Sequence, residues 1–311
     1  MGGIFITNEG APPSVSGVSP FAELVRYVWH GWDGSSWLLT CDPASVAFWE
    51  RDGRDGLLFP PIDNQTDEGA ALDGSVWLGY RATARTITWP LFVVGSSPSD
   101  YRAEHSRFFD SLRPGKLGTL EVLASDGRSR FIDLRYSKGG EGQFSGSTFG
   151  QYWSRHTVEL IAPDPYYYGT TLTRVFTNPA ATSFFGSGAP PFTIAATDTL
   201  SSASLTNPGD VDVWPTWRVD GPITTADLTL DGSTIEIDLA LTAGQWLEIV
   251  TDPAIQTIKD QGGVNRWASM GAVAFGRVPA GSTVPLGITV SGATTATKVT
   301  VTFTPKYWRA W

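Results

Sequence analysis

Hydrophobic and polar positions alternate strictly along much of the second half of the chain. The apolar positions of "TIEIDLAL" and "KVTVTF" are Ile235, Ile237, Leu239 and Leu241, and Val299, Val301 and Phe303. A period of two residues is that of a β-strand with one buried face. Turn residues such as Asp231-Gly232 occur between the strand-like runs of this half of the chain. The pattern predicts an all-β domain of about 140 residues, a sandwich of antiparallel strands.

A helical period appears once in the first half. Ser97 suits an N-cap, Pro98 suits the first turn, and Asp100 follows the cap by three residues. The apolar face that follows consists of Tyr101, His105, Phe108, Phe109 and Leu112. "RPG" then ends the pattern. The sequence predicts one amphipathic helix of about four turns that packs on a sheet.

Strand patterns surround this helix. "TLEVLA" and "SRFIDLRY" flank Asp126-Gly127, which suits a tight hairpin turn, and "WSRHTVELIA" alternates again. Turn residues interrupt residues 37–84, which predicts short strands separated by long loops. The first 35 or so residues give mixed signals. The first half is therefore predicted to be α+β.

The stretch "IAPDPYYYG" separates the two halves. Each proline lacks a backbone donor and biases the preceding residue away from helix, so the strand must end near Ile161. The tyrosines that follow suit a semi-rigid joint, because they can bury their rings while their hydroxyls reach water or backbone. We interpret Pro163, Asp164 and Pro165 as an interdomain hinge. The predicted domains are residues 1–168 and 169–311.

Composition and charge exclude several classes of protein. A formal net charge of −9 disfavours contact with a phosphate backbone, so we expect no specific nucleic-acid binding. No apolar run has the length of a membrane helix and the chain does not open like a signal peptide, so we expect no membrane insertion. Cys41 is the single cysteine, which rules out an intrachain disulfide and fits folding in a reducing cytoplasm.

Reactive groups do not form a recognisable motif. His30, His105 and His156 lack zinc-site spacing, and there is no GxSxG sequence. "DNQTDEG", from Asp63, matches a calcium loop only in part, and no carboxylate pair is singled out. We therefore predict no catalytic, cofactor-binding or metal site, and no enzyme. The 13 tryptophans either fill cores and subunit seams or form exposed sugar platforms.

Several phrases occur together in a distinctive order. They are "TITWPLFV", "YRAEHSRFFDSLRPG", "GTLEVLASDGRSRFIDLRY", "IAPDPYYYG", "LTNPGDVDVWPTWRVDGP" and "PKYWRAW". From about Gly31 to Trp311 the chain resembles the distal tail proteins of long-tailed bacteriophages, a siphovirus-type minor tail protein family. It is most similar to members from phages of actinobacteria.

The resemblance implies a mainly β structural protein of the virion tail tip, made in the host cytoplasm. An N-terminal α+β domain would form a ring, commonly a hexamer, and a galectin-like β-sandwich would lie at its periphery. The implied partners are the tail tube protein, the tape-measure protein and the tail hub or tail-associated lysin, with host-recognition parts beyond. We expect loops 50–75 and 138–150 to carry contacts between subunits or with the hub.

A second interpretation remains open. The sandwich pattern, the tryptophan count and an acidic pI of about 4.8 also suit a carbohydrate-binding β-sandwich protein or an adhesin that acts on host-surface glycans. The two interpretations are not exclusive, because a tail-tip protein can also bind a receptor.

Overall fold

Strands dominate the fold, which confirms the mainly β prediction. A computed structural model describes residues 25–40, 47–49, 53–68, 73–140, 153–177 and 198–311. In chain order the strands are β1 (Val25–His30), β2 (Ser36–Leu38), β3 (Ala47–Trp49), β4 (Ile62–Asp67), β5 (Val76–Ala82), β6 (Arg85–Val94), β7 (Gly118–Ala124), β8 (Ser129–Lys138), β9 (Trp153–Ala162), β10 (Tyr167–Tyr168), β11 (Leu172–Thr177), β12 (Asp198–Thr206), β13 (Thr216–Asp220), β14 (Thr225–Leu230), β15 (Ser233–Ile237), β16 (Trp246–Val250), β17 (Thr257–Asp260), β18 (Met270–Val273), β19 (Thr283–Ser291), β20 (Lys298–Phe303) and β21 (Lys306–Tyr307). Helix α1 (Pro98–Ser111) follows β6, and a 3-10 turn (Trp267–Ser269) follows β17.

The chain forms two units that interleave in sequence. The first unit consists of Met1–Arg54, Ile87–Arg128 and Leu134–Leu160, and the second of Asp55–Thr86, Ser129–Asp133 and Ile161–Trp311. The boundary that we place between residues 168 and 169 remains a prediction.

Helix α1 packs on the sheet of the first unit, whose strand order is β2-β1-β7-β8-β9-β6-β3. The side chain of Ser97 accepts a hydrogen bond from the amide of Asp100, so the predicted N-cap is confirmed. Phe108 is buried and meets Trp37 edge to face at 5.3 Å between ring centroids. The predicted amphipathic helix is therefore confirmed.

The predicted hairpin joins β7 and β8. Gly127 has φ +82°, a conformation that glycine adopts without strain, and the amide of Ala124 bonds the carbonyl of Arg128 across the turn. The strand predicted from "WSRHTVELIA" is β9. Both local predictions are confirmed.

The second unit contains the predicted sandwich. Its two antiparallel sheets have the orders β11-β20-β13-β16-β17 and β12-β19-β14-β15-β18. Inward-facing residues of both sheets form one core, which runs along the chain from Leu205 to Phe303. The turn predicted at Asp231-Gly232 joins β14 and β15, and both residues have positive φ there.

One strand of the sandwich is shorter than its hydrophobic pattern predicts. Alternation in "TIEIDLAL" predicts a strand through Leu241, but β15 ends at Ile237. Ile237 pairs with Ala226, one residue from the start of β14, so the ladder has almost no partner left beyond it. Leu241 still reaches the core, through a separate bridge to Ile223.

Candidate functional site

A two-stranded arm, formed by β4 and β5 (Ile62–Ala82), carries exposed apolar side chains. Within the described part of the chain these strands pair only with each other. Exposed apolar residues on the arm are Ile62, Val76, Trp77, Leu78 and Tyr80, and Leu78 is 66% exposed. Clustered exposed apolar residues and unpaired strand edges are typical of a surface that binds another protein.

The arm corrects one expectation from the sequence. Residues 50–75 were predicted to be an extended loop, but Ile62–Asp67 is a strand. The polar run "IDNQTD" pairs with β5 instead of forming a calcium loop, and Asp63 forms an ion pair with Arg81. Cross-strand pairing explains the difference, because a polar strand with both faces in solvent has no hydrophobic alternation to reveal it. Most of the second predicted loop, 138–150, lies outside the described residues.

Aromatic rings from the arm and from nearby segments form a cluster, which we call the aromatic platform. The platform consists of Phe59, Trp77, Tyr80, Tyr166 and Trp308. Trp308 is its centre, at 5.1 Å from Tyr166, 5.9 Å from Tyr80 and 6.4 Å from Phe59 between ring centroids. Trp77 stacks on Tyr80 at 6.3 Å. Such spacing allows direct ring packing, so the platform orients the exposed face of the arm.

A buried cation lies beneath the platform. Arg85 is fully buried and donates hydrogen bonds to the carbonyls of Pro165, Gly56, Leu58 and Trp308. Its guanidinium also lies 4.8 Å from the ring centre of Tyr167. Burial lowers the pKa of Arg85, while Tyr167 opposes this shift. Arg85 thus connects three separate backbone segments of the second unit, at residues 56–58, Pro165 and Trp308.

A groove opens beside the platform in the second unit, with a volume of about 700 Å³. Tyr80, Tyr166 and Trp308 line it, together with the carboxylates of Asp210 and Asp212. Burial raises the pKa of Tyr166, with smaller contributions from Tyr80 and Asp164, so its hydroxyl stays protonated at neutral pH. Volume and lining resemble those of small-molecule sites, which combine apolar walls with a few polar groups.

The predicted hinge residues lie near the start of Ile161–Trp311, the last segment of the second unit. Pro163 and Asp164 are exposed in a bend directly after β9, and the carboxylate of Asp164 forms an ion pair with Lys306 at 2.8 Å. Pro165 is buried, and its carbonyl accepts a hydrogen bond from Arg85. The strand ends at Ala162, one residue beyond Ile161. Their role as a hinge remains a prediction.

Two histidines of the first unit, His105 on α1 and His156 on β9, face each other. Their Nε2 atoms are 3.2 Å apart, and Ser154 Oγ is 2.7 Å from Nε2 of His156. Burial lowers the pKa of His105, while burial and then the charge of His105 lower the pKa of His156 to about 4. Sequence analysis predicted only that His105 packs on the helix face.

This cluster does not have the geometry of a serine hydrolase. In a catalytic triad the serine and the orienting group contact opposite nitrogens of the central imidazole. Here Ser154 and His105 both contact Nε2 of His156.

Within the described residues, no three His, Cys, Asp or Glu side chains lie together as a metal-binding group. No described helix is long and apolar enough to cross a membrane.

Sequence reasoning missed the arm and Arg85 for different reasons. The consecutive apolar residues Val76, Trp77 and Leu78 were a usable signal, because such a run outside a predicted core element marks an exposed contact. No feature of the sequence marks Arg85 as an anchor, since its four acceptors are brought together only by the fold. The tryptophans differ in burial: Trp37, Trp89 and Trp217 are buried, whereas Trp77 is 59% exposed.

Comparison with known proteins gives a fold but no family. No protein-family model and no curated protein matches the chain. The SPP1 Dit protein, a paradigm of the hub adsorption apparatus in phages that infect Gram-positive bacteria, superposes with a TM-score of 0.58. The match covers 91% of this chain and 99% of SPP1 Dit at 17% identity.

A chain of the phage P2 baseplate, in its activated conformation with Ca, superposes with a TM-score of 0.50. This match covers 90% of this chain and 98% of the baseplate chain at 14% identity. Both similarities extend over nearly the whole length of each protein. The chain therefore has the fold of phage Dit and baseplate proteins.

Proposed function

We propose that this chain is a structural protein of a long-tailed bacteriophage, the distal tail protein that forms a ring at the tail tip. The ring would join the tail tube to the baseplate hub and the host-recognition apparatus. The apolar arm is the observation that carries the proposal, and the fold shared with phage Dit and baseplate proteins supports it. The protein would act through its shape, without catalysis or a cofactor.

The arm explains how identical subunits would assemble. An isolated two-stranded hairpin is marginally stable in water, and this one exposes Trp77 and Leu78 at its surface. Docking of the arm on a neighbouring copy would bury these side chains and provide strand partners. A contact between different surfaces of identical copies generates a ring when the rotation closes. Six copies would close it, around the channel through which DNA leaves.

The remaining partners follow from a position at the tail tip. A ring there would contact the tail tube protein, the tape-measure protein and the hub or tail-associated lysin. The net charge of −9 suits a channel through which DNA passes without adhering.

Native mass spectrometry and negative-stain electron microscopy of the purified protein test the proposal. We expect rings of a single stoichiometry whose fraction rises with protein concentration. The double substitution Trp77→Ser/Leu78→Ser should leave monomers. Ile255→Ser/Val264→Ser, which also replaces two exposed apolar residues, should leave assembly unchanged. A strictly monomeric wild type at every concentration and in assembled tails would overturn the proposal.

A second function, the binding of host-surface glycans, is favoured by the groove. Aromatic ring faces beside carboxylates provide both apolar and hydrogen-bonding contacts for a sugar. Glycan-array binding of micromolar strength should disappear with Tyr80→Ala, because Tyr80 lines the groove and is 52% exposed. Trp267→Ala, at an exposed tryptophan outside the groove lining, should preserve binding. If the protein forms rings but binds no glycan, only the structural role is supported.

A further inference from the structure

The histidine pair has the spacing of two ligands on one metal ion. A tetrahedral zinc ion holds imidazole nitrogens at about 2.0–2.1 Å, which places two such nitrogens about 3.3 Å apart. The Nε2 atoms of His105 and His156 are 3.2 Å apart. Both donor atoms therefore already lie at a distance that one ion can bridge.

Hydrogen bonding accounts for this arrangement only if Nε2 of His156 shares its single proton or lone pair between two neighbours. A ring nitrogen carries either one proton or one lone pair. Nε2 of His156 nevertheless has two close neighbours, Nε2 of His105 and Oγ of Ser154. A cation would accept a lone pair from each imidazole at once. The Ser154 hydroxyl oxygen is near enough to act as a third ligand.

The surrounding rings hold both imidazoles in place. Phe109 lies 4.5 Å from the ring of His105 and 4.8 Å from that of His156, and Tyr101 lies 5.5 Å from His105 between centroids. The pair is half-buried, so solvent ions can reach it. Ligands that are already oriented lose little freedom on binding, which favours affinity.

We propose that His105 and His156 form a two-imidazole site for a borderline divalent transition metal ion, which ties α1 to β9. Imidazole nitrogens suit Ni²⁺, Cu²⁺ and Zn²⁺, whereas Ca²⁺ and Mg²⁺ prefer oxygen ligands. Two protein nitrogens leave the other coordination positions to Ser154 and water. The site needs no second subunit, because both histidines belong to the first unit of one chain.

Isothermal titration of the full-length, untagged protein with Ni²⁺ tests the site. We expect one ion per chain and a rise in Tm when Ni²⁺ is added, since a ligand that binds only the folded state stabilises it. His105→Gln and His156→Gln should each weaken binding about tenfold or more. His30→Gln is the matched control and should bind as the wild type does, because His30 contacts Ser36 and Glu121 elsewhere.

A third variant separates loss of a ligand from loss of the fold. His105→Cys replaces one metal ligand by another, so it should retain binding and give a thiolate-to-metal charge-transfer band with Co²⁺. That band would be absent from His30→Cys. Absence of saturable Ni²⁺ binding, or binding that the glutamine variants leave unchanged, would overturn the proposal.

Discussion

The guanidinium of Arg85 connects separate backbone segments of the second unit. Its described hydrogen bonds all end on backbone carbonyls, from Gly56, Leu58, Pro165 and Trp308. Arg85→Met would leave these carbonyls buried without a donor, and each unsatisfied group costs about 1–3 kcal/mol. We expect the free energy of unfolding to fall by about 3 kcal/mol or more, as measured by urea denaturation.

Arg81→Met is the matched control. The Arg81 side chain is 72% exposed, and its ion pair with Asp63 should contribute less than about 1 kcal/mol. Equal losses in the two variants would show that Arg85 does not anchor the surrounding backbone.

The histidine pair should make stability depend on pH. The folded-state pKa of His156 is about 4, against an ordinary value of 6.5. Between these values the unfolded chain binds more protons than the folded one, so stability falls as pH drops from about 6.5 to 4. His156→Gln should flatten the Tm profile over this window, measured in the presence of a chelator. An unchanged slope in His156→Gln would refute the assignment.

Neither residue-scale feature could be predicted from the sequence. Arg85 reaches acceptors as far as 223 positions away, and the two histidines are 51 positions apart. No local pattern encodes such contacts, because they exist only after the strands have paired.

The N-terminus of α1 is stabilised by its own cap. The side chain of Ser97 accepts from the amide of Asp100 at 3.2 Å, which satisfies one of the free donors of the first turn. Ser97→Ala should lower the free energy of unfolding by about 1 kcal/mol. Ser106→Ala, on the exposed side of the same helix, should be neutral or slightly stabilising. Chemical denaturation compares them, and equal effects would argue against the cap.

Elements with local signals were predicted, and elements without them were not. The cap and the 3.6-residue period placed α1, and Asp126-Gly127 and Asp231-Gly232 placed two hairpins, because turn and cap chemistry act over a few residues. The arm was missed because β4 has no buried face, which leaves no alternation. The predicted end of β15 was wrong, because the extent of its partner strand β14 determines where β15 ends.

At the scale of the whole molecule, the sandwich core and the C-terminal tail (residues 306–311) depend on different parts of the chain. The core lies between Leu205 and Phe303. Asp210 holds the tail at Lys306 and Trp308 from within the predicted domain 169–311. Other contacts come from outside it: β21 pairs with β10, Arg130 bonds the carbonyl of Arg309, and the amide of Ala310 bonds the carbonyl of Leu57. A contiguous fragment therefore retains the core and loses the tail contacts that come from residues before 169.

The fragment 169–311 should consequently fold as a sandwich whose last residues, beyond the contacts with Asp210, are released. Its urea unfolding should remain cooperative, because every residue of the core cluster is present. Hydrogen exchange should show the Ala310 amide protected in the full chain and unprotected in the fragment, with the Trp217 and Val299 amides protected in both. The fragment 161–311 restores β10 and should recover protection around Lys306 but not at Ala310, whose acceptor Leu57 is still missing. Non-cooperative unfolding of 169–311 would show that the predicted boundary is wrong, and a protected Ala310 in it would show that the tail has another anchor.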